Sequence, residues 1–214
     1  MQLKKRIPIY LVGLAVMAFG IVLIKKANLG MSPISAIPAA VAGFAPLTLG
    51  NAVTAFQIIC ILFQVVLFRK ITMYVALQLP LAFAFGYVID FYMYILKFLE
   101  VSSVWLGGLI CLLGIIFTAL GIVIIVGTDM MLPSPDAFLR AVSRMYNKKL
   151  GNVKIVGDIT WVVIALIVEL VSTGKITAVG VGTLASAILT GKFVNLLKPR
   201  LPRLEMPPMD ALPH

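Results

Sequence analysis

Long runs of apolar residues, separated by short polar segments, make up most of this chain. Several runs reach the roughly 20 residues that an α-helix needs to cross the hydrocarbon core of a bilayer. Because a backbone in lipid must satisfy its own hydrogen bonds, the pattern predicts an all-α polytopic membrane protein. Six transmembrane helices are predicted, near residues 7–26, 51–68, 74–97, 104–126, 154–172 and 178–196.

The second half of the chain repeats the first. Matching residues 101 positions apart are Gly13 with Gly114, Gly20 with Gly121, and 49–51 with 150–152. Each copy holds three predicted spans, an odd number, so the second copy starts on the opposite side of the bilayer. The sequence therefore predicts two inverted three-helix repeats, about 8–99 and 109–199, in a single membrane domain over residues 1–200. Each repeat carries a short broken or interfacial helix after its first span.

Glycines mark the first span of each copy. Gly13 and Gly20 are seven residues apart, as are Gly114 and Gly121, so each pair lies on one helix face. Small residues let membrane helices approach closely. If the two spans meet on these faces, the boundary between the repeats runs there.

The distribution of charge predicts the orientation. The formal net charge is +10, from 18 Lys and Arg against 8 Asp and Glu. Most of the basic residues flank spans on one side, and only Lys25, Lys26, Lys97 and Lys175 fall on the other. The positive-inside rule then places both termini in the cytoplasm, across a bacterial inner membrane. The expected partners are the bilayer and anionic lipid at its cytoplasmic face, with no nucleic acid. The proline-rich residues 201–214 are predicted to form a flexible cytoplasmic tail.

Composition limits the chemistry. Hydrophobic residues make up 61% of the chain and the mean hydropathy is +1.09. Cys60 and Cys111 fall inside predicted spans, where packing is a simpler explanation than a disulfide. The single histidine is the terminal His214, so neither histidine catalysis nor a His/Cys zinc site is expected. Without a phosphate-binding loop or a nucleophile motif, we expect no enzyme, no cofactor and no metal.

Two Ser-Pro segments are the first candidate binding elements. Ser32-Pro33 and Ser134-Pro135 each suit the start of a short helix, because Ser is a good N-cap and Pro fits the first turn. Helix N-termini attract anions and carbonyl oxygens, and broken helices in transporters present such ends to substrate. Asp136 falls in the first turn of the second helix, where an acid suits the helix dipole. Two alternatives stay open: capped interfacial helices, or re-entrant helices that form a site.

Polar residues inside spans are the second group of candidates. Asp90 lies within the third span, where a carboxylate costs roughly 2.5–3.5 kcal/mol on insertion scales. It suits either proton or cation coupling or a bond to a polar neighbour, and its repeat mate is Asn195. Asp158 pairs either with Lys154, one turn before it, or with its repeat mate Gln57 across the pseudo-axis.

Gly180-x-Gly182-Thr183 opens the sixth span. Glycines at this spacing permit close packing or a sharp backbone turn. The Thr183 hydroxyl can bond to backbone or contribute to a site. Packing is the simpler interpretation.

Together these residues resemble a known family. Ala27-Asn-Leu-Gly30-x-Ser-Pro33, Leu49-Gly50, Asp90, Pro133-x-Pro135-Asp136, Asp158 and Gly180-x-Gly182-Thr183 are similar to the YczE/YyaS/YitT-like bacterial integral membrane proteins. The resemblance covers about residues 8–199 and implies membrane architecture, without a substrate or a catalytic residue. The chain has Met130-Met131 before Leu132, where a Leu-Gly like that of the first copy is expected.

Transport is the function that the sequence favours. Inverted repeats with broken, polar elements predict a secondary transporter or permease for a small polar or anionic solute, working by alternating access. The alternatives are the membrane substrate-binding subunit of an ATP-driven vitamin-type importer, and a non-transporting scaffold or accessory protein. A lone six-helix bundle offers little room for an enclosed path, so a homodimer is a further alternative.

Overall fold

The computed structural model describes residues 3–69, 73–128, 130–148 and 150–197. These residues form eight α-helices and no β-strand. Helices α1, α3, α4, α5 and α7 are long, and α2, α6 and α8 are shorter. Their bounds are α1 Leu3–Ala27, α2 Pro33–Phe44, α3 Leu49–Phe68, α4 Met73–Ile95, α5 Val104–Gly127, α6 Ser134–Met145, α7 Leu150–Ser172 and α8 Val181–Leu197. A single 3₁₀ turn, Leu96–Phe98, follows α4.

Five of the described helices are long and apolar enough to cross a membrane. The segments are Arg6–Ala27, Leu49–Phe68, Val75–Phe98, Val104–Gly127 and Val153–Ser172. These coincide with five of the six predicted spans, and the protein is a multi-pass membrane protein by this criterion. The sixth prediction, 178–196, begins too early, because residues before Val181 form a bonded loop. Helix α8 is described from Val181 to Leu197, which is also the last described residue of the chain.

Helices α1 and α5 pack against each other through the repeated glycines. A Cβ added to Gly20 would lie 2.5 Å from the backbone nitrogen of Thr118, and one added to Gly121 would lie 2.5 Å from that of Met17. Residue numbers rise along α1 as they fall along α5, so the two helices are antiparallel. Thr118 is the repeat mate of Met17. Exchanging the two copies therefore turns the contact between Gly20 and Thr118 into the contact between Gly121 and Met17.

The other two glycines, Gly13 and Gly114, lie at opposite ends of this interface and show the same relation. A Cβ on Gly13 would lie 2.9 Å from Ile125, and one on Gly114 would lie 2.8 Å from Ile24. Ile125 is the repeat mate of Ile24. The expectation that the first spans meet on their glycine faces agrees with this packing.

The short helices cross between the two copies. Helix α2 packs on α7 as well as on its neighbour α3, and α6 packs on α3 as well as on its neighbour α7. In α2 the buried face consists of small residues, with Ala36, Ala39 and Ala40 almost inaccessible. In α6 the exposed face carries Arg140 and Arg144. The uncharged α2 is buried over most of its length, whereas α6 is amphipathic.

Candidate functional site

A small polar cavity lies where the start of α6 meets α1, α3 and α4. Its volume is ≈10 Å³, about the room that one water molecule needs. Gln57 of α3 and Gln78 of α4 supply its amides, and Ser134 supplies the first turn of α6. Tyr10 and Leu14 close it from α1. Gln57 and Ser134 were both predicted site residues, and the fold brings them to the same cavity.

Gln57 has an unused donor. Its side chain is buried, and within the described part of the chain its Nε2 has no hydrogen-bond partner. A buried amide nitrogen without an acceptor costs about 1–3 kcal/mol. The α6 N-terminus faces the same cavity, and the first N–H groups of a helix have no acceptor inside the helix. The cavity therefore presents one unpaired amide donor beside a helix N-terminus and has room for an acceptor the size of a water oxygen.

Two buried glutamines tie α3 to α4 beside the cavity. Gln64 and Gln78 exchange hydrogen bonds through their side-chain amides, each at 3.1 Å. Gln64 Nε2 also lies 3.3 Å from the carbonyl oxygens of Cys60 and Ser134. The pair thus links the α3–α4 hairpin to the start of α6. Neither glutamine was predicted as a site residue from the sequence, although an amide inside an apolar span is a recognisable signal.

The first Ser-Pro segment lies at the opposite end of α1. Ser32-Pro33 follows the C-terminus of α1, while the cavity with Ser134-Pro135 touches its N-terminal half at Tyr10. The Ser32 hydroxyl donates to that of Ser35 at 3.1 Å, and Pro33 is buried as the first residue of α2. Pro135 is likewise buried, as the second residue of α6.

Two segments, residues 29–31 and 178–182, bond to each other through their backbones at this end of α1. We call this pair of segments the clasp. The Met31 N–H donates to the Ala178 carbonyl at 2.7 Å, and the Gly182 N–H donates to the Leu29 carbonyl at 2.6 Å. Gly180 and Gly182 permit the approach, because a Cβ on either would lie 2.6–2.8 Å from the Leu29 oxygen.

Thr183 belongs to this clasp. It is buried, and its hydroxyl accepts from the Gly180 N–H at 3.0 Å. It therefore does not lie in the cavity with Gln57, although it is the repeat mate of Gln78 at the offset of 105.

Asp90 bonds to the start of α3. Its Oδ1 accepts from the Gly50 N–H at 2.7 Å, and its Oδ2 accepts from the Thr48 hydroxyl at 2.6 Å. Both oxygens therefore have partners without any ion. Its repeat mate Asn195 lies in α8, but the side chain of Asn195 is outside the described residues.

Asp136 and Asp158 share one lysine. Lys154 Nζ lies 2.9 Å from Asp136 Oδ1 and 3.4 Å from Asp158 Oδ1. This cluster ties the first turn of α6 to α7. Of the two partners predicted for Asp158, Lys154 and Gln57, the structure places Lys154 in contact with it.

Comparison with known proteins gives one match. Residues 4–199 match the model of a family of unknown function, DUF6198. The chain belongs to that family. No curated protein and no solved structure matches it. The resemblance to the YczE/YyaS/YitT-like proteins stays a prediction.

A buried carboxylate supports the clasp in this DUF6198 chain. Glu169 of α7 is 2% exposed, and its Oε1 accepts from the N–H groups of Thr177 and Ala178 at 2.9 and 2.8 Å. Within the described residues its Oε2 has no hydrogen-bond partner. Glu169 lies near the C-terminal end of α7, and the protein encloses it there. Its loop partners follow α7 in the chain and adopt no helical pattern, so the sequence alone does not indicate these bonds.

Proposed function

We propose that this membrane protein is a small secondary transporter that moves a polar or anionic solute by alternating access between inverted repeats. The antiparallel glycine contacts of α1 and α5 support the inverted relation, because each contact maps onto another when the copies are exchanged. On the same relation, α8 is the sixth span.

The observation that carries the proposal is the unpaired Gln57 amide in the cavity at the start of α6. A carboxylate or phosphate oxygen there would accept from Gln57 and from the α6 N-terminus, and the helix dipole favours negative charge. The cavity is too small for such a solute, so on this proposal the structure is the closed conformation.

Two sets of contacts would then act as alternating gates. The clasp closes one end of the molecule, and the Gln64–Gln78 pair with Ser134 closes the other. Opening either gate alone would expose the interior to one side of the membrane. Since the sequence offers no nucleotide-binding loop, a proton or ion gradient would supply the driving force.

Binding and uptake assays test this function. Purified protein would be screened by thermal shift against phosphate, sulfate, acetate and glutamate, and a stabilising probe would then be followed, radiolabelled, into proteoliposomes. We expect Gln57→Leu to abolish the stabilisation and the uptake while the protein stays folded. Asn51→Leu removes an exposed amide from the same helix, outside the cavity, and is the matched control.

Other results would redirect the proposal. No stabilisation by any probe, or uptake that Gln57→Leu leaves unchanged, would contradict it. Stabilisation without uptake would favour an accessory protein, for which the exposed Arg140 and Arg144 of α6 offer a docking face. Copurification with an ATPase would favour the importer subunit.

A further inference from the structure

An open apolar groove runs between α6 and α7, separate from the polar cavity. Its volume is ≈490 Å³, within the range of small-molecule sites. Aromatic and aliphatic side chains form its walls and one lysine lies along it. The residues that matter here are Phe138, Val142, Tyr146, Lys148, Val156 and Trp161.

The groove opens onto the surface that faces lipid. Val156 is 65% exposed, and other apolar residues of α7, Ile159 and Val163 among them, are exposed along the same span. Trp161 is buried, and its ring packs edge-on against Phe56 with centroids 5.3 Å apart. A hydrocarbon chain is therefore the chemistry that fits the walls.

Positive charge lies where the groove reaches the turn between α6 and α7. Lys148, in the turn between α6 and α7, lines the groove and is exposed. Helix α6 adds Arg140 and Arg144 on its exposed face. A basic residue near a membrane surface attracts anionic headgroups. Apolar walls with a basic entrance favour an anionic amphiphile over a neutral one.

We infer that the α6/α7 groove binds one anionic phospholipid, with an acyl chain along Val156 and Trp161 and its headgroup beside Lys148. This inference does not depend on transport, because the groove shares no lining residue with the polar cavity. It assigns to α6 a lipid contact that fixes the short helix against α7.

Tryptophan fluorescence tests the site directly. The chain has two tryptophans, and Trp105 is 90% exposed, so Trp105→Phe leaves Trp161 as the single reporter. The variant would be reconstituted into phosphatidylcholine vesicles that contain a minor fraction of phosphatidylglycerol. Either the phosphatidylglycerol or an equal amount of the phosphatidylcholine would be brominated on its acyl chains. We expect brominated phosphatidylglycerol to quench Trp161 several-fold more strongly.

Two further variants keep the test decisive. Thr160→Phe fills the groove and should remove the preference, whereas Leu109→Phe on the exposed apolar face of α5 should leave it intact. Lys148→Gln, at an exposed position, should lower the preference about fivefold, the effect of about one basic residue at an anionic surface. Equal quenching by the two brominated lipids, or a preference that survives both Thr160→Phe and Lys148→Gln, would overturn the inference.

Discussion

The carboxylate of Asp90, near the end of α4, accepts a hydrogen bond from the backbone N–H of Gly50 at 2.7 Å and so caps the start of α3. The Thr48 hydroxyl completes the cap: it donates to Asp90 at 2.6 Å and accepts from the Asn51 N–H at 3.1 Å. Gly86 in α4 contacts Gly50 closely enough that neither position has room for a side chain. A charge inside a predicted span is thus bound to a helix N-terminus, whose dipole favours it.

Asp90→Ala should lower the free energy of unfolding by about 1–3 kcal/mol, because it leaves a helix N–H and a hydroxyl without their charged acceptor. Asp90→Asn should cost less, since an amide oxygen still accepts. Thermal unfolding in detergent measures both. Glu100→Ala, which removes an exposed acid just beyond α4, is the control and should change little. If Asp90→Ala and Glu100→Ala behave alike, the cap contributes nothing.

The Gln64–Gln78 pair should show strong coupling. Gln64→Leu or Gln78→Leu alone leaves a buried amide unpaired, and each should destabilise the protein by about 1–3 kcal/mol. The double substitution removes both polar groups and should cost less than the sum of the two. A double-mutant cycle from unfolding in detergent gives the coupling energy. Strict additivity would show that the reciprocal amide bonds do not form.

Gly30 should be the least replaceable glycine of the clasp. Its φ is +101°, and an added Cβ would lie 2.5 Å from the Gly180 nitrogen, so Gly30→Ala adds a steric clash to backbone strain. Gly174 has a φ of +66° but open space around it. Gly174→Ala should therefore show only the strain, about 1–2 kcal/mol. Melting temperatures of the two variants measure the difference. Equal decreases in melting temperature would mean that the two segments of the clasp can move apart without loss of stability.

The contact between α1 and α5 should be equally sensitive on both sides. Gly20→Ala and Gly121→Ala each place a methyl group 2.5 Å from a backbone nitrogen of the opposite helix, so we expect similar losses of stability. Gly108→Ala lies on α5 with open space around it. It should stabilise the helix by up to about 1 kcal/mol. Unequal losses at Gly20 and Gly121, measured by unfolding in detergent, would argue against an exchange-symmetric interface.

Single cysteines should report the orientation of the two halves. In a chain with Cys60→Ala and Cys111→Ala, Leu47→Cys marks the loop after α2 and Met145→Cys marks the end of α6, both at exposed positions. We expect a membrane-impermeant maleimide to label Leu47→Cys only from outside the cell and Met145→Cys only from inside. Labelling of both from the same side would contradict the inverted topology and the transport proposal with it.

Much of the fold follows from local pattern. Apolar runs long enough to cross a bilayer are visible in one dimension, and five of them became long helices at the predicted places. The offset of 101 residues carried over to structure as well. Helix α6 begins at Ser134, 101 residues after α2 begins at Pro33. Helix α8 begins at Val181 and not at the predicted 178, because Glu169 and the clasp hold the preceding loop in a bonded, non-helical form.

The contacts of the polar residues could not be predicted in this way. Gln64 and Gln78 meet because α3 and α4 fold back on each other, and no local period encodes that pairing. Asp90 needed the position of the α3 N-terminus before its partner was evident. Asp158 was simpler, since Lys154 lies one turn away on the same helix. Side chains whose partners come from the same turn are predictable, and those whose partners come from another helix are not.

The crossing of the short helices bears on how the protein is made. The buried alanines of α2 are covered in part by α7, which the ribosome completes more than a hundred residues later. Until the second half is inserted, the alanine face of α2 in the first half therefore lacks part of its packing partner. The two halves interlock, so assembly is completed only when the second half of the chain is in place, and a chain truncated after α4 would retain that exposed surface.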